Sequence, residues 1–274
     1  MIYKYLCVLL TLLIAGCSSL NSLNQLSAPI TEQLLPIYSE YYHVTFTSDA
    51  RKIVPSHWPI SYQILRENDR KKLDNYLNIF EQEFSKMPAE LITLSNLKTV
   101  IFVKELYVGE QYRAAVPDYI NEVLYYDINA KNEGYARRVI HHEFYHMLEQ
   151  QLFGSAYYKD PNWQNLNVAN FAYGDGGHNA RSSNVSLFTN PYPGFVNGYA
   201  MSGLEEDKAE IWAVLWLDQY WQKTYPMLKH DCILADKVNM LITQLSEFAP
   251  SINSNYFHSR FNPYLLKNNF RCNQ

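Results

Sequence analysis

Residues 133–154 read EGYARRVIHHEFYHMLEQQLFG, and this stretch decides the fold. Its residues suit a helix over 133–153, and Gly154 stands where a helix stops. Inside it lies His142-Glu143-Phe144-Tyr145-His146. Positions i and i+4 of a helix share one face, with Cβ atoms about 5–6 Å apart. His142 and His146 can therefore close on one Zn²⁺ at about 2.0–2.1 Å each. Glu143, beside the first histidine, is set to take a proton from an attacking water as general base. His141 is rotated about 100° away and is expected off the metal face. In a chain of this composition the pattern arises by chance about once in a hundred sequences.

A catalytic zinc needs a third protein ligand and an open position. The metzincin continuation is absent, because Glu149 stands where its glycine belongs and Leu152 where its histidine belongs. The third ligand must come from elsewhere in the chain. A second helix is predicted over 203–223, with Ser202-Gly-Leu-Glu205 as a capping box that turns Glu205 back on the helix end. Glu206 and Glu210 are i,i+4 neighbours on the face of Ala209 and Ala213, small residues that permit close approach to another helix. Glu206 is the expected metal ligand. Glu210 is expected behind a ligating histidine, orienting it through its other ring nitrogen. Leu204, Ile211, Val214 and Leu215 form a stripe that packs elsewhere.

Outward from these helices, Leu73, Tyr76, Leu77, Phe80 and Phe84 recur at helical spacing and predict a helix over 67–86. Residues 99–103 and 123–128 read as strands, with Pro117 and Asp118 in the turn region before the second. Residues 154–200 are loop-rich, with a turn cluster at Gly174-Asp-Gly-Gly177. Asp175 and His178 lie there, either touching substrate or metal or serving as ordinary loop residues. A further helix is predicted over 231–248. Helices and strands mix without regular alternation, so the class is α+β.

The 274 residues are 47% hydrophobic and 18% charged, a composition that excludes bulk disorder. Net charge is −4 and no run of five Lys/Arg occurs, so nucleic acid is not an expected partner. Lys4 followed by an apolar run from Leu6 to Ala15 is too short to span a bilayer and reads as a secretory signal over 1–16. Ser/Asn/Gln-rich residues 17–36 read as a tether, and 37–274 as one domain. The segment ending Ala15-Gly16-Cys17 resembles a bacterial lipoprotein signal, which implies lipid on Cys17 and a membrane anchor. Ser18 after the cysteine, by resemblance to sorting rules, favours the outer membrane, facing the periplasm or surface. With Cys17 acylated, Cys232 and Cys272 remain as a possible disulfide.

HExxH with a distant Glu-Asp-x-Ala-Glu resembles the gluzincin metallopeptidases, and in particular a group of bacterial zinc-binding metallopeptidase lipoproteins. The matching stretches are Val139–Leu148, Trp163 with Phe171 and Tyr173, and Gly194-Phe195 through Tyr199 to Glu206 and Glu210. The arrangement is also similar to the anthrax lethal factor catalytic domain, where a tyrosine seven residues before the glutamate ligand faces the site. Tyr199 holds that position here. The resemblance implies a zincin-like domain: a small twisted sheet over an active-site helix, an edge strand that aligns a peptide or protein substrate, and a mainly helical second half. It implies peptide-bond hydrolysis with Tyr199 near the developing oxyanion. The 60 residues from His146 to Glu206 exceed the interval in compact gluzincins, so the intervening loop is expected to differ. Two other readings stay open: a zinc-containing envelope lipoprotein that binds a polymer or protein partner without cleaving it, and amide hydrolysis in the cell wall.

Overall fold

The computed structural model describes residues 27–49, 56, 58–176, 184–190, 192–260 and 272. In chain order these form β1 (Gln33–Leu34), α1 (Pro36–Tyr42), β2 (Thr45–Thr47), β3 (Ile60–Gln63), α2 (Arg70–Phe84) and α3 (Ala89–Leu94). Then follow β4 (Thr99–Val108), β5 (Gln111–Tyr112), β6 (Ala115–Asp118), β7 (Val123–Asp127), α4 (Glu133–Phe153) and α5 (Pro161–Asn165). A 3₁₀ turn (Tyr199–Ser202) leads into α6 (Leu204–Trp216), α7 (Asp218–Met227), α8 (Cys232–Phe248) and α9 (Ser254–Arg260). The class is α+β, with the sheet in the first half and helices filling the second.

The sheet runs β1-β2-β4-β7-β6, with β4 parallel to β2 and β7, and β6 antiparallel to β7 at the edge. Alternation along β4 and β7 sends side chains to both faces. Val100, Phe102, Leu124 and Tyr126 enter the main core, shared with α2, α4, α6 and α8. Ile101, Val103, Val123 and Tyr125 enter a second cluster covered by Trp58, Ile60 and Tyr62. β7 is buried throughout because both faces are covered. α4 runs under the sheet, with the Tyr126 hydroxyl donating to the Ile140 carbonyl at 3.1 Å.

α4 has its predicted bounds. Asn132 caps it by accepting from the Tyr135 N–H, and Gly154 ends it at φ 72°. Four expectations change. Pro117 and Asp118 lie in β6, not in a turn; the missing proline N–H is tolerated because β6 is an edge strand. Residues 154–200 contain α5 and the start of the 3₁₀ turn. The helix predicted over 203–223 divides at Leu217, whose ψ of 104° leaves the helical region. Arg260 donates to the freed Trp216 carbonyl at 3.1 Å. No capping box forms there, since Gly203 is the N-cap and no side chain caps it. The Glu205 carboxylate folds over Gly203, where a Cβ would stand 2.4 Å from Oε1.

The stretch from Ser27 to Leu35, the end of the expected tether, packs on the domain. The Ile30 N–H donates to the Leu65 carbonyl at 3.0 Å, Arg66 reaches the Ser27 carbonyl, and β1 pairs with β2. Cys232 and Cys272 form a disulfide that ties Cys272 to the start of α8. Among the described residues no helix is long and apolar enough to cross a membrane. The signal region and Cys17 lie outside the described residues.

Candidate metal centre

α4 and α6 pack side by side and supply the site from facing surfaces. Apart from Glu205, α6 is buried along its length, and Glu206, Asp207, Lys208 and Glu210 each meet a charged or imidazole partner inside the protein. His142 and His146 present Nε2 atoms 3.3 Å apart. Glu206 Oε2 lies 3.0 Å from the first and 3.8 Å from the second. Three ligands about 2.0–2.1 Å from a tetrahedral ion would stand about 3.3 Å apart, so the observed edges bracket that value. Glu206 Oε2 is also buried without a directed hydrogen bond. A nitrogen–nitrogen–carboxylate set of this kind suits Zn²⁺. Among the described residues it is the one cluster of three or more such groups close enough to hold a metal ion.

Glu210 lies behind His142, with Oε1 2.7 Å from Nδ1. The same oxygen pairs with Arg138, which is 3% exposed, and Oε2 accepts from Asn197 Nδ2 at 2.6 Å. Burial pulls the His142 imidazole down, but Glu206 and Glu210 against its two nitrogens outweigh it and push it up to about 10. Burial likewise opposes ionisation of Glu206, yet His142 and His146 hold it below the usual carboxylate range. The charge held between these carboxylates is what a divalent cation would replace.

Glu143 and Tyr199 line a cleft of about 100 Å³ that opens on the three ligand atoms. Burial raises the Glu143 carboxyl above its ordinary value, against the lowering pull of His142 and His146. Burial, then Glu206 and Glu143, raise the Tyr199 phenol, which stays protonated. Its ring centroid is 5.8 Å from that of His142. β6 forms one wall through Ala115, Val116 and Pro117. His141 points away as expected; its Nε2 meets Glu83 Oε2 at 2.9 Å and its ring stacks on Trp216. Asp175 is exposed and outside the cleft lining, and His178 lies outside the described residues.

Sequence reasoning missed Arg138, Asn197, Arg113, Tyr119 and Tyr157. Arg138 was findable, since it stands at i−4 from His142 on the same helix face. Asn197 and the cleft residues Arg113, Tyr119 and Tyr157 come from separate loops and carry no local signal.

No curated protein matches the chain. Among solved structures it is similar to a "putative zinc-binding metallo-peptidase" from Bacteroides caccae, at 15% identity and a TM-score of 0.47, covering 84% of this chain and 90% of that one. The sequence profile of a family described in the same words, "putative zinc-binding metallo-peptidase", matches residues 42–261. That span contains α4, α6 and every side chain of the metal centre, and the chain belongs to this zinc-binding metallopeptidase family.

Proposed function

We propose that the protein is a zinc-dependent peptidase of the gluzincin type with a zincin-like fold, held on the bacterial envelope by lipid on Cys17. The observation that carries this reading is the convergence of His142, His146 and Glu206 with Glu143 beside them in one cleft. When bound, the ion would polarise a scissile carbonyl and make the attacking water more acidic. Glu143 takes the water's proton, and its raised pKa suits it to hold that proton and pass it to the leaving amine. The protonated Tyr199 hydroxyl donates to the oxygen on which negative charge develops. Glu210 holds the His142 Nδ1 proton and so keeps Nε2 facing the ligand cluster.

A peptide substrate suits the outer edge of β6, which pairs with no strand other than β7 among the described residues. Asp127 N–H donates to the Ala114 carbonyl, so Ala114, Val116 and Asp118 turn their backbone to β7. Ala115 and Pro117 turn theirs outward, offering one N–H and two carbonyls for strand addition. By the same reading the outer membrane, facing the periplasm or surface, is the site of action.

The test is zinc content and turnover on one preparation, with a proteome-derived peptide library. Glu143→Gln is expected to keep the parent's zinc yet lose about 10²–10⁴-fold or more in rate. An unchanged rate in that variant refutes the mechanism. A parent that binds peptides without cleaving them favours the binding-only reading.

A further inference from the structure

Asp207 follows Glu206 directly but turns to the other side of α6. Its buried Oδ2 accepts from Trp163 Nε1 at 2.9 Å, the Tyr173 hydroxyl at 2.7 Å and Lys237 Nζ at 2.7 Å. α5, the loop after it and α8 thus meet on one oxygen of α6. Lys237 is buried as well; it donates to the Gly194 carbonyl at 2.9 Å and lies 3.7 Å from the centre of the Phe195 ring. The Gly194 N–H donates to Asp231 Oδ2 at 2.7 Å, at the start of α8. Gly194 has φ +85°, and a Cβ there would stand 2.3 Å from Ile233 Cγ2, so only glycine lets the loop approach this closely. Three residues on is Asn197, which holds Glu210, and two further is Tyr199 in the cleft.

This network reaches both halves of the site from behind. A side-chain tip lies roughly 5–6 Å from a helix axis. A 10° rotation of α6 would therefore move the Glu206 carboxylate by about 1 Å, several times the ±0.2 Å that metal–ligand distances tolerate. Three donors on Asp207 oppose that rotation. Stability alone does not call for such a pair, because apolar residues of similar volume often serve as well.

We infer that Asp207 and Lys237 are positioning residues of the metal centre. They set the rotation of α6 for Glu206 and seat the 194–199 segment for Asn197 and Tyr199. The inference rests on the reading of Glu206 as a ligand given above.

The test compares the full chain with Asp207→Asn, the double variant Asp207→Asn/Lys237→Met, and Asp69→Asn. The last breaks the 2.8 Å Asp69–Lys104 pair, which joins the start of α2 to β4 outside the cleft. Three quantities are read: zinc affinity by chelator competition, the visible spectrum of the Co²⁺-loaded protein, and the thermal midpoint. Asp207→Asn is expected to weaken zinc about tenfold or more, the low end of the range for groups behind metal ligands. The double variant leaves no unpaired charge and is expected to recover stability while zinc stays weak and the cobalt spectrum stays altered. Asp69→Asn is expected to lose stability and bind zinc as the parent does. Parent-like zinc affinity and cobalt spectrum in the double variant would overturn the inference. If the double variant fails to fold, Tyr173→Phe removes one donor and leaves both charges; weaker zinc binding supports the inference, and parent-like binding overturns it. A parent that binds no zinc overturns the proposed function itself, a result distinct from parent-like zinc in the variants.

Discussion

Replacing Glu210 by glutamine separates its two tasks. Glu210 Oε1 stands 2.7 Å from His142 Nδ1 and pairs with Arg138, while Oε2 accepts from Asn197 at 2.6 Å. Glutamine keeps the shape but removes the charge. Arg138 is 3% exposed, so its guanidinium loses a carboxylate it cannot exchange for water. Breaking one side of a buried pair costs about 3–5 kcal/mol. The amide oxygen can still accept from His142 Nδ1, but without the charge it holds that proton more weakly, and changes behind a metal ligand typically weaken metal binding about 10–100-fold. Each tenfold is about 1.4 kcal/mol of lost zinc stabilisation. Denaturant unfolding with and without zinc measures both effects on one protein. Glu210→Gln should lose about 3–5 kcal/mol in the apo form and roughly 1.4–2.8 kcal/mol more in the zinc form. Loss in the apo form alone would reduce Glu210 to a counter-ion for Arg138. No loss in either would refute the reasoning.

Glu83 is expected to contribute to the acid limb of stability. Burial pushes its carboxyl up, but His141 and Lys86 outweigh it and hold it at about 2. That lies below the ordinary 4.5, so the stabilisation is present above about pH 4.5 and fades as pH falls towards 2. His141 acts in the same direction, since burial lowers it to about 4 and it must charge when the protein unfolds in acid. Glu83→Gln should flatten the acid limb of the stability curve by roughly 3 kcal/mol, and an unchanged limb contradicts the assignment. Tyr199→Phe should keep the parent's zinc and slow hydrolysis by about 10²–10³ with little change in substrate binding; equal rates remove Tyr199 from the mechanism. Cys17→Ala should move the protein from the membrane to the soluble fraction of cells, and unchanged retention refutes the anchor.

What was legible in the sequence was local. His142, Glu143 and His146 share one helix, so spacing alone places the two imidazoles together, and Gly154 marks its end. Glu206 and Glu210 were readable because Ala209 and Ala213 leave space for a close helix, and Glu210 meets His142 as expected. The break at Leu217 was not readable. Trp216, Leu217, Tyr220 and Trp221 continue a helical pattern, and the partner of the freed carbonyl, Arg260, is distant in sequence. β6 was hidden by Pro117, a residue that signals turns except at a sheet edge. The buried charges Glu149, Asp207, Lys208 and Lys237 carry no local signal of burial, because only folding pairs Lys208 with Glu149 and Lys237 with Asp207. Trp163, Tyr173 and Gly194 entered the reading through resemblance alone, and their contacts with Asp207 and Lys237 supply the physical reason.

The central claim is that His142, His146 and Glu206 form one zinc site, and zinc stoichiometry after exhaustive dialysis tests it most directly. The parent is expected to retain about one zinc per chain, as a site with three protein ligands does. Glu206→Gln is expected to fall well below that, while Glu205→Gln, whose carboxylate folds over Gly203 away from the ligand cluster, keeps the parent value. Equal zinc in all three proteins, or none in the parent, would contradict the account.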